Sequence, residues 1–397
     1  MPCPYGQAIN GHEIPSLARA AARFGSGPMS ERLRVGVIFG GRSGEHEISL
    51  LSARSVLGAL DPQRYDVVQI GITHDGQWYT GPRALEAFEH GGTEALDPAI
   101  LPAEPGLRCV FRWGEGRPME VVSGLDVVFP VLHGTYGEDG TVQGLLELAD
   151  VPYVGAGVLA SSVAMDKALF KTVMQARGLP VVGWTLILAE DIQRDPAAAA
   201  AQAESVGPYP LFAKPANLGS SVGISKARGR ADMIEGLMDA ARYDRRVLVE
   251  QGVRAREIEV SVLGNEMPEA SLPGEIIPSD EFYSYRAKYT DDASQLLIPA
   301  PLDDATRDEA RRLAVEAFRA IDGAGMARAD FLLDQDGGAL YVNELNTIPG
   351  FTRISMYPKL WDASGLSYPA LMDRLIELAM ARQAQKDRLV RRYGDDA

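Results

Sequence analysis

Cysteine is nearly absent: Cys3 and Cys109 are the only two in 397 residues, too few and too far apart for a disulfide framework or a thiolate zinc site. A reducing, cytoplasmic setting is expected. No apolar run approaches the roughly eighteen residues that span a bilayer, and none near the N-terminus resembles a signal-peptide core. No membrane contact is therefore expected. Basic residues are outnumbered, 39 against 54 acidic for a net charge of −15, and no dense basic cluster interrupts that balance. Nucleic acid is not an expected partner. Two familiar phosphate motifs are also missing. The chain has no Walker A loop, and Gly40-Gly-Arg-Ser-Gly44 lacks the G-x-G-x-x-G spacing of a dinucleotide fingerprint.

What is present fits a chain longer than one hydrophobic core usually serves, so two or three domains are expected. Residues 1–28 are rich in Gly, Pro and Ala with little periodicity and read as a flexible extension, with Met29 as an alternative start. From Leu33 strand and helix alternate. Val35–Phe39 reads as a buried strand and Gly40–Gly44 as a tight turn. Glu45–Leu60 reads as a helix, and Tyr65–Ile72 and Leu125–Leu132 as further strands. Strand, crossover and strand predict a parallel, Rossmann-like sheet with the glycine turn at the carboxyl end of its first strand, where α/β folds place ligands. Glu45 then stands at a helix start, either as a receptor for an ammonium group or as a plain helix-start acid.

The densest chemistry lies near the other end of the chain. Met326-Ala-Arg-Ala-Asp330 and Glu344-Leu-Asn346-Thr-Ile-Pro-Gly350 flank the turn Asp334-Gln-Asp-Gly-Gly338, which reads as a hairpin. Alternation puts Arg328 and Asp330 on one face, and Glu344 and Asn346 on one face. Pairing Asp334 with Leu340 would set Asp330 opposite Glu344 and Arg328 opposite Asn346. Two acids and an amide that converge this way need a counterion, and an all-oxygen donor set suits magnesium. The alternative is a solvated edge hairpin.

Between these ends, Lys214 sits in the apolar run Pro210-Leu-Phe-Ala-Lys-Pro215, where a lysine stays buried only if something anionic meets it. Asn217–Gly223 follows as a small-residue loop whose amides can approach a phosphate, or as a simple hairpin turn. Val247–Val253 and Arg256–Val262 read as strands broken at a glycine. Residues 280–297 read as a long polar loop of the kind that closes over sites. Asp303–Ile321 and the stretch through Leu371, Leu375 and Leu378 read as core helices.

From about Leu33 to Leu378 the sequence resembles the D-alanine–D-alanine ligases of the ATP-grasp superfamily. The resemblance rests on six motifs in order: Gly40-Gly-Arg-Ser-Gly-Glu-His-Glu-Ile-Ser49, His133-Gly-Thr-Tyr-Gly-Glu-Asp-Gly140, Met165-Asp-Lys167, Ala213-Lys-Pro-Ala-Asn-Leu-Gly-Ser-Ser-Val-Gly223, Ala287-Lys-Tyr289 and Glu344–Gly350. It implies an α/β, three-domain ATP-grasp fold: an N-terminal extension over 1–31, an N-terminal domain over 32–135, a central domain over 136–225 with 226–262 continuing the nucleotide cleft, and a C-terminal domain over 263–397. It further implies ATP, two Mg2+ or Mn2+ ions, D-alanine as substrate, and a homodimer. Lys167, Lys214, Ser221 and Lys288 would bind ATP phosphates, Glu250 and Val253 the adenine, and Glu257 the ribose. Asp330, Glu344 and Asn346 would hold the metals. Arg328 and the Gly350 amide would form an oxyanion hole. Glu45 would take the first ammonium, with His133 nearby or buried as a structural residue, and Ser355 and Met356 the second carboxylate. Ser220 and Tyr289 would close the mobile loop onto Glu45. The implied reaction joins two D-alanines through an acyl phosphate.

Overall fold

The computed structural model describes residues 32–114, 117–219, 222–277 and 295–390. The N-terminal extension and Ser220, Ser221, Lys288 and Tyr289 lie outside the described residues.

Three sheets follow one another along the chain. The first is seven-stranded in the order β6-β5-β4-β3-β2-β1-β7. It comprises β1 (Leu33–Gly40), β2 (Tyr65–Ile72), β3 (Trp78–Thr80), β4 (Asp97–Ile100), β5 (Cys109–Gly114), β6 (Arg117–Gly124) and β7 (Val127–Pro130). Val35, Val37, Ile38 and Phe39 are fully buried, as expected for a strand covered on both faces. β1 pairs in parallel with both β2 and β7. β3 to β6 extend the sheet through antiparallel pairs instead, so only the ligand-facing part keeps the expected parallel pattern. Because β1 and β7 run side by side, the loops leaving their carboxyl ends, 41–45 and 131–140, emerge next to each other. The helix His46–Ala59 follows the first loop, with Glu45 as its N-cap residue.

The second sheet contains β8 (Trp184–Leu188), β9 (Leu211–Pro215), β10 (Ser225–Ala227) and β11 (Arg246–Gln251), in the order β10-β9-β11-β8 and antiparallel throughout. The third is built from β12 (Ala255–Gly264), β13 (Glu269–Ala270), β14 (Gly274–Ile277), β15 (Gln295–Leu297), β16 (Gly325–Asp334) and β17 (Leu340–Asn346). Sheet membership thus changes between Gln251 and Ala255, at the expected glycine break; residue 262, an expected domain end, lies within β12. The helix Asp304–Ala320 backs the third sheet with buried Leu313, Ala314 and Phe318, and Asp303 caps it by accepting from the Thr306 amide. The last helix, Tyr368–Lys386, buries Leu371, Leu375 and Leu378. No described helix is long and apolar enough to cross a membrane.

Candidate active site

The hairpin β16–β17 carries the acids. Arg328 pairs with Asn346 and Asp330 with Glu344, as alternation requires. The register near the turn differs from expectation, because Leu333, not Asp334, pairs with Leu340. A bulge between Asp330 and Phe331 leaves Asn343 as the extra residue and restores the polar pairing beyond it. Bulges of this kind re-aim side chains beside active sites. Arg328 grips Asp330 with two bonds, Nε to Oδ1 and NH2 to Oδ2, both 2.7 Å. Its Nε also lies 3.0 Å from Oε2 of Glu259, a buried acid on β12. The Asn346 amide nitrogen donates to Asp330 Oδ2 at 2.9 Å, which leaves its carbonyl oxygen as the accepting end. Asp330, Glu344 and Asn346 therefore offer only oxygen to an ion, and too few oxygens to saturate one. That donor set fits magnesium, which keeps positions for water and phosphate.

The lysines sit across the cleft. Lys214 on β9 and Lys171 on the helix Lys167–Ala176 both ion-pair with Glu250 on β11, Lys171 at 2.7 Å. Burial pushes the Glu250 carboxyl up, but the two lysines outweigh it and hold the group at about 2. Burial likewise opposes the Lys214 charge, and Glu250, Glu344 and Glu257 overcome it, so its pKa rises. Lys171 moves the other way: burial dominates the pull of Glu250, and its pKa falls. Sequence reasoning gave Lys171 no role. Its signal was the spacing of four residues from Lys167, one helical turn along the same face. Lys167 donates to the Leu218 carbonyl at 2.8 Å and lies 3.9 Å from Glu344 Oε2. It thereby ties the Leu218 backbone to the acidic hairpin.

A third group surrounds Glu45. A Cβ on Gly134 would fall 2.5 Å from Glu45 Oε2, and one on Gly219 2.9 Å from it. Both loops thus come within contact of the carboxylate, and at Gly134 a left-handed φ of +72° favours glycine as well. Ser43 Oγ accepts from the Glu45 amide and donates to the His133 carbonyl. His133 itself is 4% exposed, with Nδ1 3.1 Å from the Ile348 carbonyl and 3.5 Å from Glu138 Oε1. Burial lowers its pKa, yet Glu138 and Glu45 overcome this and the net shift is upward. Beyond Gly350, Ser355 starts the helix Met356–Ala363 and its hydroxyl accepts from the Thr352 amide at 3.1 Å.

These groups share one cleft of about 990 Å³. Every expected site residue that the structure describes lines it: Glu45 and His133 from the first sheet's loops, Lys167, Lys214, Glu250 and Val253 from the centre, Glu257, Arg328, Asp330, Glu344 and Asn346 from the third sheet, and Gly350, Ser355 and Met356 from the loop beyond. Two antiparallel sheets closing on a polar cleft, with lysines facing acids and an amide, suit the class of enzymes that hold a polyphosphate and a divalent cation.

Comparison with known proteins narrows this class. Residues 34–156 match the family model for the D-ala D-ala ligase N-terminus, and residues 173–377 the model for the D-ala D-ala ligase C-terminus. The D-alanine–D-alanine ligase of Natranaerobius thermophilus is 49% identical over 362 residues, 90% of this chain and 98% of that one. That of Thermoanaerobacter pseudethanolicus is 51% identical over 360 residues, covering 90% and 99%. Among solved structures, the D-alanine-D-alanine ligase from Coxiella burnetii is 37% identical with a TM-score of 0.77, covering 90% of this chain and 97% of that one. The VanG D-Ala:D-Ser ligase from Enterococcus faecalis is 33% identical with a TM-score of 0.78, covering 88% and 99%. The chain belongs to the D-alanine–D-alanine ligase family, and its reaction uses ATP to make D-alanyl-D-alanine for peptidoglycan synthesis.

Proposed function

We propose that the cleft works by phosphorylating the carboxylate of the first D-alanine and passing the activated carbonyl to the amine of the second. The observation that carries this is the opposition of Arg328 and Asp330 to Asn346 and Glu344, with Lys167 at 3.9 Å from Glu344. Asp330, Glu344 and Asn346 would hold two Mg2+ or Mn2+ ions, which neutralise charge on the transferring phosphoryl group when bound. Lys167, Lys214, Ser221 and Lys288 cradle the phosphates, Glu250 and the Val253 backbone receive the adenine, and Glu257 the ribose. Glu45 holds the first ammonium, with His133 behind it. Ser220 and Tyr289, outside the described residues, would act beside Glu45 as the family resemblance implies.

Attack of the first carboxylate oxygen on the γ-phosphorus breaks its bond to the β-phosphate oxygen and releases ADP. The second amine then attacks the acyl carbon, and the oxyanion that forms is met by Arg328 and the Gly350 amide. Its collapse breaks the acyl carbon–oxygen bond to phosphate, the proton lost by the amine nitrogen leaves with that phosphate, and the peptide bond remains. Ser355 and the Met356 amide orient the second carboxylate. The expected division, 32–135, 136–225 with 226–262 continuing the cleft, and 263–397, would hold the nucleotide between the last two units, with the last boundary moved to the sheet change between Gln251 and Ala255. The enzyme acts as a cytoplasmic homodimer on small molecules, without nucleic acid or membrane.

A D-serine acceptor is the second reading, favoured by the likeness to a D-Ala:D-Ser ligase. A small pocket rejects an added hydroxyl only weakly. With ATP, magnesium and D-alanine, the expected product by mass is D-alanyl-D-alanine. Equal D-serine added as competitor should leave it dominant, and D-lactate should give no depsipeptide. A mixed D-alanyl-D-serine product in excess would move the assignment to the second reading.

A further inference from the structure

Ser52 joins the two halves of the site, and neither the reaction nor the motifs account for it. It is fully buried on the helix His46–Ala59, seven residues beyond Glu45 and so two turns along the same face. Its Oγ accepts from the Phe351 amide at 3.3 Å and lies 2.9 Å from His133 Nε2. On the other edge of that ring, Nδ1 meets the Ile348 carbonyl at 3.1 Å. A carbonyl can only accept, so Nδ1 carries a proton whatever the charge on the ring. Ser52 Oγ then either donates to Nε2 or accepts from it, and in both cases it remains the acceptor for Phe351. The segment 348–351 is thus held at each end, Ile348 by His133 and Phe351 by Ser52. Gly350 lies between. Tyr368 adds a third tie, its hydroxyl donating to the Phe351 carbonyl at 2.6 Å.

We propose that Ser52 is a positioning residue for the second half-reaction: with His133 it fixes the 348–351 segment so that the Gly350 amide points at the oxyanion of peptide-bond formation. This role rests on the oxyanion function proposed for Gly350 and Arg328. The link spans 299 residues of sequence, and it makes the loop that receives the second substrate depend on the helix that carries Glu45. Ser49, equally buried on the same helix, offers the contrast. It accepts from the Gly40 amide and donates to the Val131 carbonyl, both at the carboxyl ends of the first sheet's own strands.

The test separates the two half-reactions. Scrambling of bridging 18O within ATP in the presence of D-alanine reports reversible acyl-phosphate formation, and dipeptide release reports the second step. Ser52→Ala should leave scrambling undiminished while dipeptide formation falls about tenfold. Phosphate released per dipeptide should rise above one, as water takes the waiting acyl phosphate and returns D-alanine. Ser52→Cys, which fills the space but accepts poorly, should move the same way with the melting temperature retained. Ser49→Ala should keep the ratio at one. Scrambling and ligation falling together in the Ser52 variants, or neither falling, would overturn the proposal, as would uncoupling by Ser49→Ala. Arg328→Lys run in parallel distinguishes the levels. If it uncouples while the Ser52 variants do not, only the role of Ser52 is lost. If it stays fully coupled at full rate, the oxyanion reading itself falls.

Discussion

Glu344→Gln should lower kcat by about a thousandfold or more at saturating magnesium while the folded state persists. The substitution keeps the shape and hydrogen-bonding reach of the side chain and removes only its charge. The remaining carboxylate of the donor set, Asp330, is already shared with Arg328 and Asn346, so it cannot take over. Metal ions at a transferring phosphoryl group supply several kcal/mol of charge stabilisation, and each 1.36 kcal/mol is about tenfold in rate. Stability should move little or upward without metal, because Asp330 and Glu344 face each other as paired residues and like charges directly opposite destabilise a sheet. Steady-state kinetics over a magnesium titration, with a thermal melt in chelator, checks both parts. Activity within tenfold of the parent would remove Glu344 from the metal site.

Arg328→Lys should cost about a hundredfold in kcat, with ATP binding nearly unchanged. The guanidinium holds Asp330 by two bonds and reaches Glu259 at 3.0 Å, a fixed fork that an ammonium cannot reproduce. The positive charge stays, so the buried acids are not left uncompensated, which would otherwise cost about 3–5 kcal/mol. The loss should therefore fall on the step where charge develops on the acyl oxygen, for which removal of one donor costs about a hundredfold to a thousandfold. Pre-steady-state quench flow, following ADP and dipeptide separately, should show a near-normal ADP burst and a slowed dipeptide phase. A slowed burst would place Arg328 in phosphoryl transfer instead.

The sequence carried much of this through local rules. Alternation on two strands placed Arg328, Asp330, Glu344 and Asn346 opposite one another, and a lysine inside an apolar strand called for an anion, which proved to be Glu250. The bulge at Asn343 was not legible, because a period-two pattern shows which face a residue takes but not where a residue is skipped. The antiparallel edge formed by β3 to β6 was hidden for a similar reason: β3 and β4, which join it to the parallel part, are only three and four residues long, and the pairing is set by tertiary packing. Lys171 was hidden by its setting, since a lysine on an amphipathic helix reads as its solvated face, yet this one is 1% exposed. Contacts such as Ser52 with Phe351 lie beyond any window of local reading. The expected roles of Ser220, Ser221, Lys288 and Tyr289 fall outside the described residues.

The central claim is that the first D-alanine's own carboxylate is phosphorylated, and one isotope measurement addresses it. With D-alanine labelled by 18O in both carboxylate oxygens, the phosphate released during turnover should carry one 18O from the substrate. The dipeptide should retain one at its new amide carbonyl. Phosphate free of label, alongside normal dipeptide formation, would contradict an acyl phosphate and with it the roles assigned to Lys167, Lys214 and the acidic hairpin.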